Sequence, residues 1–376
     1  MKIKVSQLER LMEVAHLLNS TLNPELVREK ALEATCKLLN CETASILLVD
    51  FEKNELFWDV ALGETGRHLK ENLRLPLQSN SIAGIVALSG ESLLINDVPS
   101  DPRHFKKATE KTGFKVTTMI CVPLKIKDKI IGVLQAINKL EEIPQKNSLY
   151  PWASFDPEDL KLLTSLSNQV AIAIENSRLY NSLKKSFYDT VSALAESIEK
   201  KDHYTGGHTK RVHYFSECIG KHMDLTSEQM ERLKLSALLH DIGKIGVDDH
   251  VLRKQAKLDA DEWVIMQKHP ELGYQIMKKV ESLSDVIGGM RYHHERWDGK
   301  GYPQGLKETE IPLNARIIAV ADTYDAMISS RPYRKGLLPK QAYQEILKCS
   351  GTQFDPKVIE AFKLAFENEN MGKQTG

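Results

Sequence analysis

A chain of 376 residues is long enough for two domains of ordinary size, each with its own core. Lys plus Arg equals Asp plus Glu at 51 each, so no strong overall field draws the protein to a long nucleic acid or an acidic membrane, although local basic clusters can hold a small anion. The five cysteines, Cys36, Cys41, Cys121, Cys218 and Cys349, form no C-x-x-C pair and read as buried thiols in a reducing compartment.

The opening MKIKVSQLERLMEVAHLL reads as a charged amphipathic helix, and no stretch of about 18 apolar residues follows, which predicts a cytoplasmic protein without a membrane partner. From Cys41 to about Lys139 the pattern turns from helical to alternating. Apolar runs at 44–49, 56–61, 73–77 and 93–95 predict strands. Runs at 116–126 and 130–137, parted by Lys127, Asp128 and Lys129, predict an antiparallel hairpin. Ser79-Asn80-Ser81 before IAGIVALSG predicts an N-capped short helix stopped by Gly90. The first half is therefore expected to be an α+β module, an antiparallel sheet flanked by helices.

After the polar stretch 141–148, Asp156 and Pro157 stand at the cap and first position of a helix expected to run to about Lys200, with Glu158 and Asp159 at its positive end. Leu183, Phe187, Val191, Leu194 and Ile198 form an apolar stripe along its second half. The stripe fits either packing on the chain's own domain or a dimer seam. Beyond Lys201 the chain reads as nearly all helix, around 208–222, 227–242, 260–279, 282–294, 312–329 and 339–349. Two domains are expected, 1–180 with the start of the connecting helix, and 181–376.

Seven residues able to bind metal recur in or beside those helices: His208, His240, Asp241, His269, His293, His294 and Asp322. Imidazole and carboxylate suit a borderline divalent metal, and a carboxylate bridges two ions where one imidazole nitrogen cannot, so Asp241 is the expected bridge. Helical bundles build such sites from inward side chains. Two cations roughly 3.5–4 Å apart can acidify a shared water and clamp phosphoryl oxygens, which makes a phosphodiester the first expectation for substrate. Lys244, three residues after Asp241, is a candidate proton donor to a leaving oxygen or a fixed charge on phosphate. Asp322, among apolar neighbours, is expected to be buried, and Asp325 one turn later is weighed between supporting the ligands and ordinary helix pairing. Arg331 and Arg334 in RPYRKG suit phosphate contacts.

These residues carry a resemblance. His208, His240-Asp241 and Asp322 look like the four ligand positions of the HD phosphohydrolase superfamily, and His269, His293-His294 and DGKGYP, from Asp298 to Pro303, look like the added marks of its HD-GYP subfamily. The resemblance implies an all-α domain that opens cyclic di-GMP to pGpG, with onward hydrolysis to GMP as an extension, at a binuclear iron or manganese centre. It also implies Lys244 as the catalytic lysine, Tyr302 near the substrate, and Arg331 and Arg334 on its phosphates. Members with three metals carry a Glu four residues before the first ligand His; Tyr204 stands there in this chain, so two metals are expected, unless Asp202 or a water substitutes. The first half is similar to GAF domains in INDVPSDPRH, MICVPL and GVLQAINK, which implies a sensor with a small ligand and a homodimer through the long helix, while a protein partner at the GYP loop belongs to the receptor alternative below. Asn138-Lys139 with Phe155 and Glu158-Asp159 loosely resembles a cyclic-nucleotide motif. The alternatives carried are a receptor with little turnover and a hydrolase of cyclic GMP-AMP or another guanosine nucleotide.

Overall fold

The computed structural model describes residues 12–14, 16–18, 20–61, 73–141, 152–201, 206–330, 335–369 and 371. Most of the expected opening helix and nearly all of the polar stretch 141–148 lie outside the described residues, as do Asp202, Tyr204, Arg331 and Arg334. The chain divides into two compact units, Met1–Lys184 and Lys185–Gly376. Among the described residues no helix is long and apolar enough to cross a membrane.

In the first unit, helix α1 (Pro24–Leu39) starts where the Asn23 side chain accepts from the Glu25 and Leu26 amides and ends at Asn40, whose left-handed φ of 48° turns the chain into a sheet. Strands β1 (Cys41–Asp50), β2 (Glu55–Ala61), β3 (Arg74–Pro76), β4 (Leu93–Ile95), β5 (Met119–Ile126) and β6 (Lys129–Lys139) form one antiparallel sheet in the order β3-β2-β1-β6-β5-β4. They lie where the apolar runs predict strands. The hairpin turn is tighter than expected, because Ile126 pairs with Lys129 and leaves Lys127 and Asp128 as a two-residue loop. Helix α2 (Ile82–Ser89) has the expected cap, Ser81 Oγ accepting from the Gly84 amide, and ends at Gly90. Helix α3 (Lys106–Thr112) was not expected; no apolar period marks it, and it has no buried residue.

Both faces of the sheet are covered, which explains why MICVPL and GVLQAI read as continuous apolar runs rather than strict alternation. Ile46, Ile120, Val122, Leu134 and Ala136 pack with Val27 and Leu32 of α1 and with Leu163, Leu166 and Val170 of helix α4 (Pro157–Glu199). Leu47, Met119, Cys121 and Val133 pack on the other face with Ile82 and Val86 of α2. A cavity of about 340 Å³ opens on that second face, lined among others by Trp58, Phe105, Phe114 and Gln135. Residues of the loose nucleotide motif make structural contacts. Asn138 is buried, accepts from the Thr117 and Thr118 amides and donates to Glu42 and the Lys115 carbonyl, and Lys139 pairs with Asp159.

The second unit is helical. Its elements are the end of α4, α5 (His208–Gly220), α6 (Ser227–Leu239), a 3-10 turn (Ile242–Gly246), α7 (Asp249–Leu252), α8 (Ala260–Met266), α9 (His269–Met277), α10 (Ile287–Arg291), α11 (Leu313–Ile328), α12 (Pro339–Lys348) and α13 (Pro356–Asn368). Phe215, Ile219, Ile317, Val320, Tyr324 and Phe362 centre its main core. Three expectations are corrected. The helix expected over 260–279 breaks after Met266 because Pro270 opens α9. That expected over 282–294 shrinks to a 3-10 turn (Glu281–Leu283) and α10. The stripe on α4 splits along its length: Val191 and Ile198 are buried against Leu235, Leu238 and Met290, while Leu183, Phe187 and Leu194, rotated to one side by the 100° step, are exposed.

Candidate metal centre

Five short stretches bring the seven proposed ligands together. His208 opens α5, His240 and Asp241 follow the end of α6, His269 opens α9, His293 and His294 follow α10, and Asp322 lies within α11. Two triads result, His208 with His240 and Asp322, and His269 with His293 and His294, each with ligand atoms within 4.8 Å of one another. Asp241 faces both. Its Oδ2 lies 3.5 Å from His208 Nε2 and 3.4 Å from His240 Nε2, while its Oδ1 lies 3.4 Å from His269 Nε2.

This approach depends on Gly243. A Cβ there would sit 1.8 Å from the His269 carbonyl oxygen and 2.4 Å from the Gly273 amide, so only glycine lets the 3-10 turn lie on the first turn of α9. Gly243 lies inside that turn rather than ending the helix before it.

The imidazoles are held in one orientation by their other nitrogen. Nδ1 of His240 donates to the Ala237 carbonyl at 2.7 Å, that of His269 to Met266 at 2.8 Å, and that of His293 to Met290 at 2.5 Å. A carbonyl only accepts, so Nδ1 carries the proton and the Nε2 lone pair faces the site in the neutral ring. His269 Nε2 and His293 Nε2 are buried without a hydrogen-bond partner. Buried lone pairs left unpaired are costly, and a divalent cation satisfies them. His208 uses a carboxylate: its Nδ1 lies 2.8 Å from Asp325 Oδ2, and Asp325 is gripped by Arg211 at 2.5 Å through Nε and 3.1 Å through Nη2. Asp325 therefore supports a ligand, and it is the buried carboxylate of α11. Asp322, expected to be buried, is 19% exposed at its side chain and faces a cavity.

Electrostatics follow this geometry. Burial disfavours a charged His208, yet Asp241, Asp325 and Asp322 outweigh it and push the imidazole up to about 10. Burial tends to raise Asp241, but Lys244, His240 and His208 hold it well below the usual carboxylate range. Burial drives His293 and His294 well below the usual imidazole range and lowers His269 as well, so all three are neutral. Paired carboxylates that demand positive charge, beside neutral imidazoles with inward lone pairs, form a donor set that fits borderline divalent metals.

Lys244 Nζ lies 2.8 Å from Asp241 Oδ2, and Tyr302 stacks on His294 with ring centroids 4.8 Å apart. Both line a cavity of about 570 Å³ that also receives His208, Asp241, His269 and Asp322. The GYP loop is fixed by buried Glu295, whose Oε1 accepts from the Gln304 and Gly305 amides, and by Asp298, which Arg296 holds down to about 2. Sequence reasoning missed four residues. Glu199 caps α5 by accepting from the His208 and Thr209 amides, and Lys254, Lys257 and Trp263 line the cavity. The capping box from Asp259 to Glu262 marks the start of α8 in the sequence, but nothing local marks these residues as lining a cavity.

The fold and this site define a class, a sheet-based module followed by a helical module with a His/Asp cluster suited to metal. A model of the GAF domain family matches residues 23–174, and one of the HD domain family matches residues 192–358. The chain thus carries a match to the GAF domain family followed by a match to the HD domain family. It is 37% identical over 229 residues to a cyclic di-GMP phosphodiesterase of Thermotoga maritima, covering 56% of this chain and 62% of that protein. It is 34% identical over 206 residues to a 3'3'-cGAMP-specific phosphodiesterase 2 of Vibrio cholerae, covering 54% and 39%. To a cyclic di-GMP phosphodiesterase response regulator of Xanthomonas campestris it is 36% identical over 197 residues, covering 51% and 52%. The chain therefore spans between 39% and 62% of the length of these relatives.

Proposed function

We propose that the chain is a phosphodiesterase that opens cyclic di-GMP to pGpG. The carrying observation is Asp241, whose two oxygens face two separate triads of metal-binding side chains. His208, His240 and Asp322 would hold one divalent cation and His269, His293 and His294 the other, with Asp241 between them; the donor set suits borderline divalent metals, and iron or manganese is assigned on the family resemblance. Such a pair supplies an activated water and neutralises charge on the phosphoryl oxygens. The chain's own contribution is positional. Lys244, held at Asp241, is placed to give a proton to the departing 3′ oxygen or to hold the phosphate. Tyr302, seated on His294, walls the cavity and limits water. Arg331 and Arg334 are assigned to substrate phosphates on the resemblance of their segment.

Relatives named as specific for 3'3'-cGAMP support a second reading, hydrolysis of that dinucleotide by the same centre. We assign a sensory role to the GAF domain, with its cavity as the place of a small ligand, and a homodimer seam to α4, where Ile172, Leu179, Leu183, Phe187 and Leu194 expose apolar side chains at spacings of four and seven. A cytoplasmic location and a protein partner at the GYP loop complete the reading. Side-by-side turnover of cyclic di-GMP and 3'3'-cGAMP, with metal content measured on the same sample, tests it. Metal bound with both dinucleotides left intact overturns it in favour of a receptor.

A further inference from the structure

The cavity over the metal centre has a rim with no part in the core. Helix α8 begins at a capping box in which Asp259 and Glu262 bind each other's backbone amides. Lys254 is paired with Glu262 and lies 3.6 Å from Asp259, so the loop before α8 is strapped to its first turn. Ile265 and Met266 of α8 pack on the small cluster of Val247, Val251 and Leu252. Trp263 does not. It is 49% exposed, on a fixed element, and it lines the cavity that receives Asp241 and His294.

A half-exposed indole at a cavity rim has apolar area that a ligand's flat face can cover. The same cavity has another aromatic surface in Tyr302, fixed against His294. A cyclic dinucleotide carries two bases and two phosphates and reacts at one phosphate, which leaves a base and a phosphate to be held away from the metals. Of the two lysines on the rim, Lys254 is neutralised by its carboxylates, whereas Lys257 is exposed and has no hydrogen bond or ion pair among the described residues. We propose that Trp263 is the stacking platform for one purine of the substrate and Lys257 the contact for its non-reacting phosphate. The inference rests on the cyclic-dinucleotide reading above.

Steady-state turnover of cyclic di-GMP and calorimetric titration with its non-hydrolysable phosphorothioate analogue, on the full metal-loaded chain, test it. Trp263→Ala should raise KM and the calorimetric Kd about tenfold, the loss expected for one stacked base, with kcat within about twofold and Trp263→Phe restoring most of the affinity. Lys257→Ala should raise KM and flatten its dependence on salt. Wild-type KM in Trp263→Ala at an unchanged melting temperature overturns the inference while leaving the phosphodiesterase reading intact. A wild-type chain that neither binds nor cleaves a cyclic dinucleotide overturns that reading, and the rim assignment with it.

Discussion

Gly243→Ala is a severe test of how the centre is assembled. The added methyl would lie 1.8 Å from the His269 carbonyl oxygen, where ordinary contact begins at 3.4 Å, so the 3-10 turn and the start of α9 must separate by more than an ångström. Both obstructing atoms are backbone and cannot swing aside. Overpacking of this kind costs about 1–3 kcal/mol, or roughly 5 °C in the melting of a unit of this size. The functional loss should be larger, because the separation falls between Asp241 and His269, and a misplacement of about 1 Å in a reacting constellation can cost on the order of a hundredfold in rate. Gly246→Ala is the internal control. Its methyl would meet only the end of the Leu272 side chain, at 3.1 Å, which can rotate away. Metal content by mass spectrometry, dinucleotide turnover and a thermal melt on both variants give the comparison. Full metal content and wild-type turnover in Gly243→Ala would refute the dependence of the site on this contact.

Asp241→Ala should lose both metals and all turnover, since it removes the side chain that faces both triads; full occupancy by elemental analysis contradicts the bridging assignment. Lys244→Ala should retain metal and lose rate, and an unchanged kcat removes this residue from the reaction. Asp325→Asn should destabilise the second unit by roughly 2–3 kcal/mol, less than a fully buried pair because Arg211 is 29% exposed. The same change should weaken metal binding about 10–100-fold by releasing His208, and it is excluded as a support if calorimetry and metal titration both match wild type.

Much of the site is written into local sequence. Histidines and aspartates at the ends of amphipathic helices announced the donor set, and the strands announced themselves by apolar runs between turn residues. What escaped depends on tertiary proximity. Asp241 reads as the bridge from its chemistry alone, but which ligands fall on either side of it does not; that follows from the Gly243 contact with α9. Asp322, expected to be buried, is instead presented by α11 to the cavity, while α11 packs Asp325 against Arg211 and His208. Two misses were avoidable. Pro270 marks the break between α8 and α9, and Asp355-Pro356 is the same start signal that located α4, yet α13 was not expected. Trp263 and Lys257 had no such signal, since rim residues follow no period.

The central claim is that this HD domain cleaves a cyclic dinucleotide at a binuclear centre. The measurement that tests it most directly is chromatographic turnover of cyclic di-GMP by protein purified anaerobically and loaded with Fe(II) or Mn(II), with metal content determined on the same sample. The account predicts conversion to pGpG at about two metals per chain, the number the two triads around Asp241 can hold. Intact cyclic di-GMP and 3'3'-cGAMP over a fully metallated chain would contradict it.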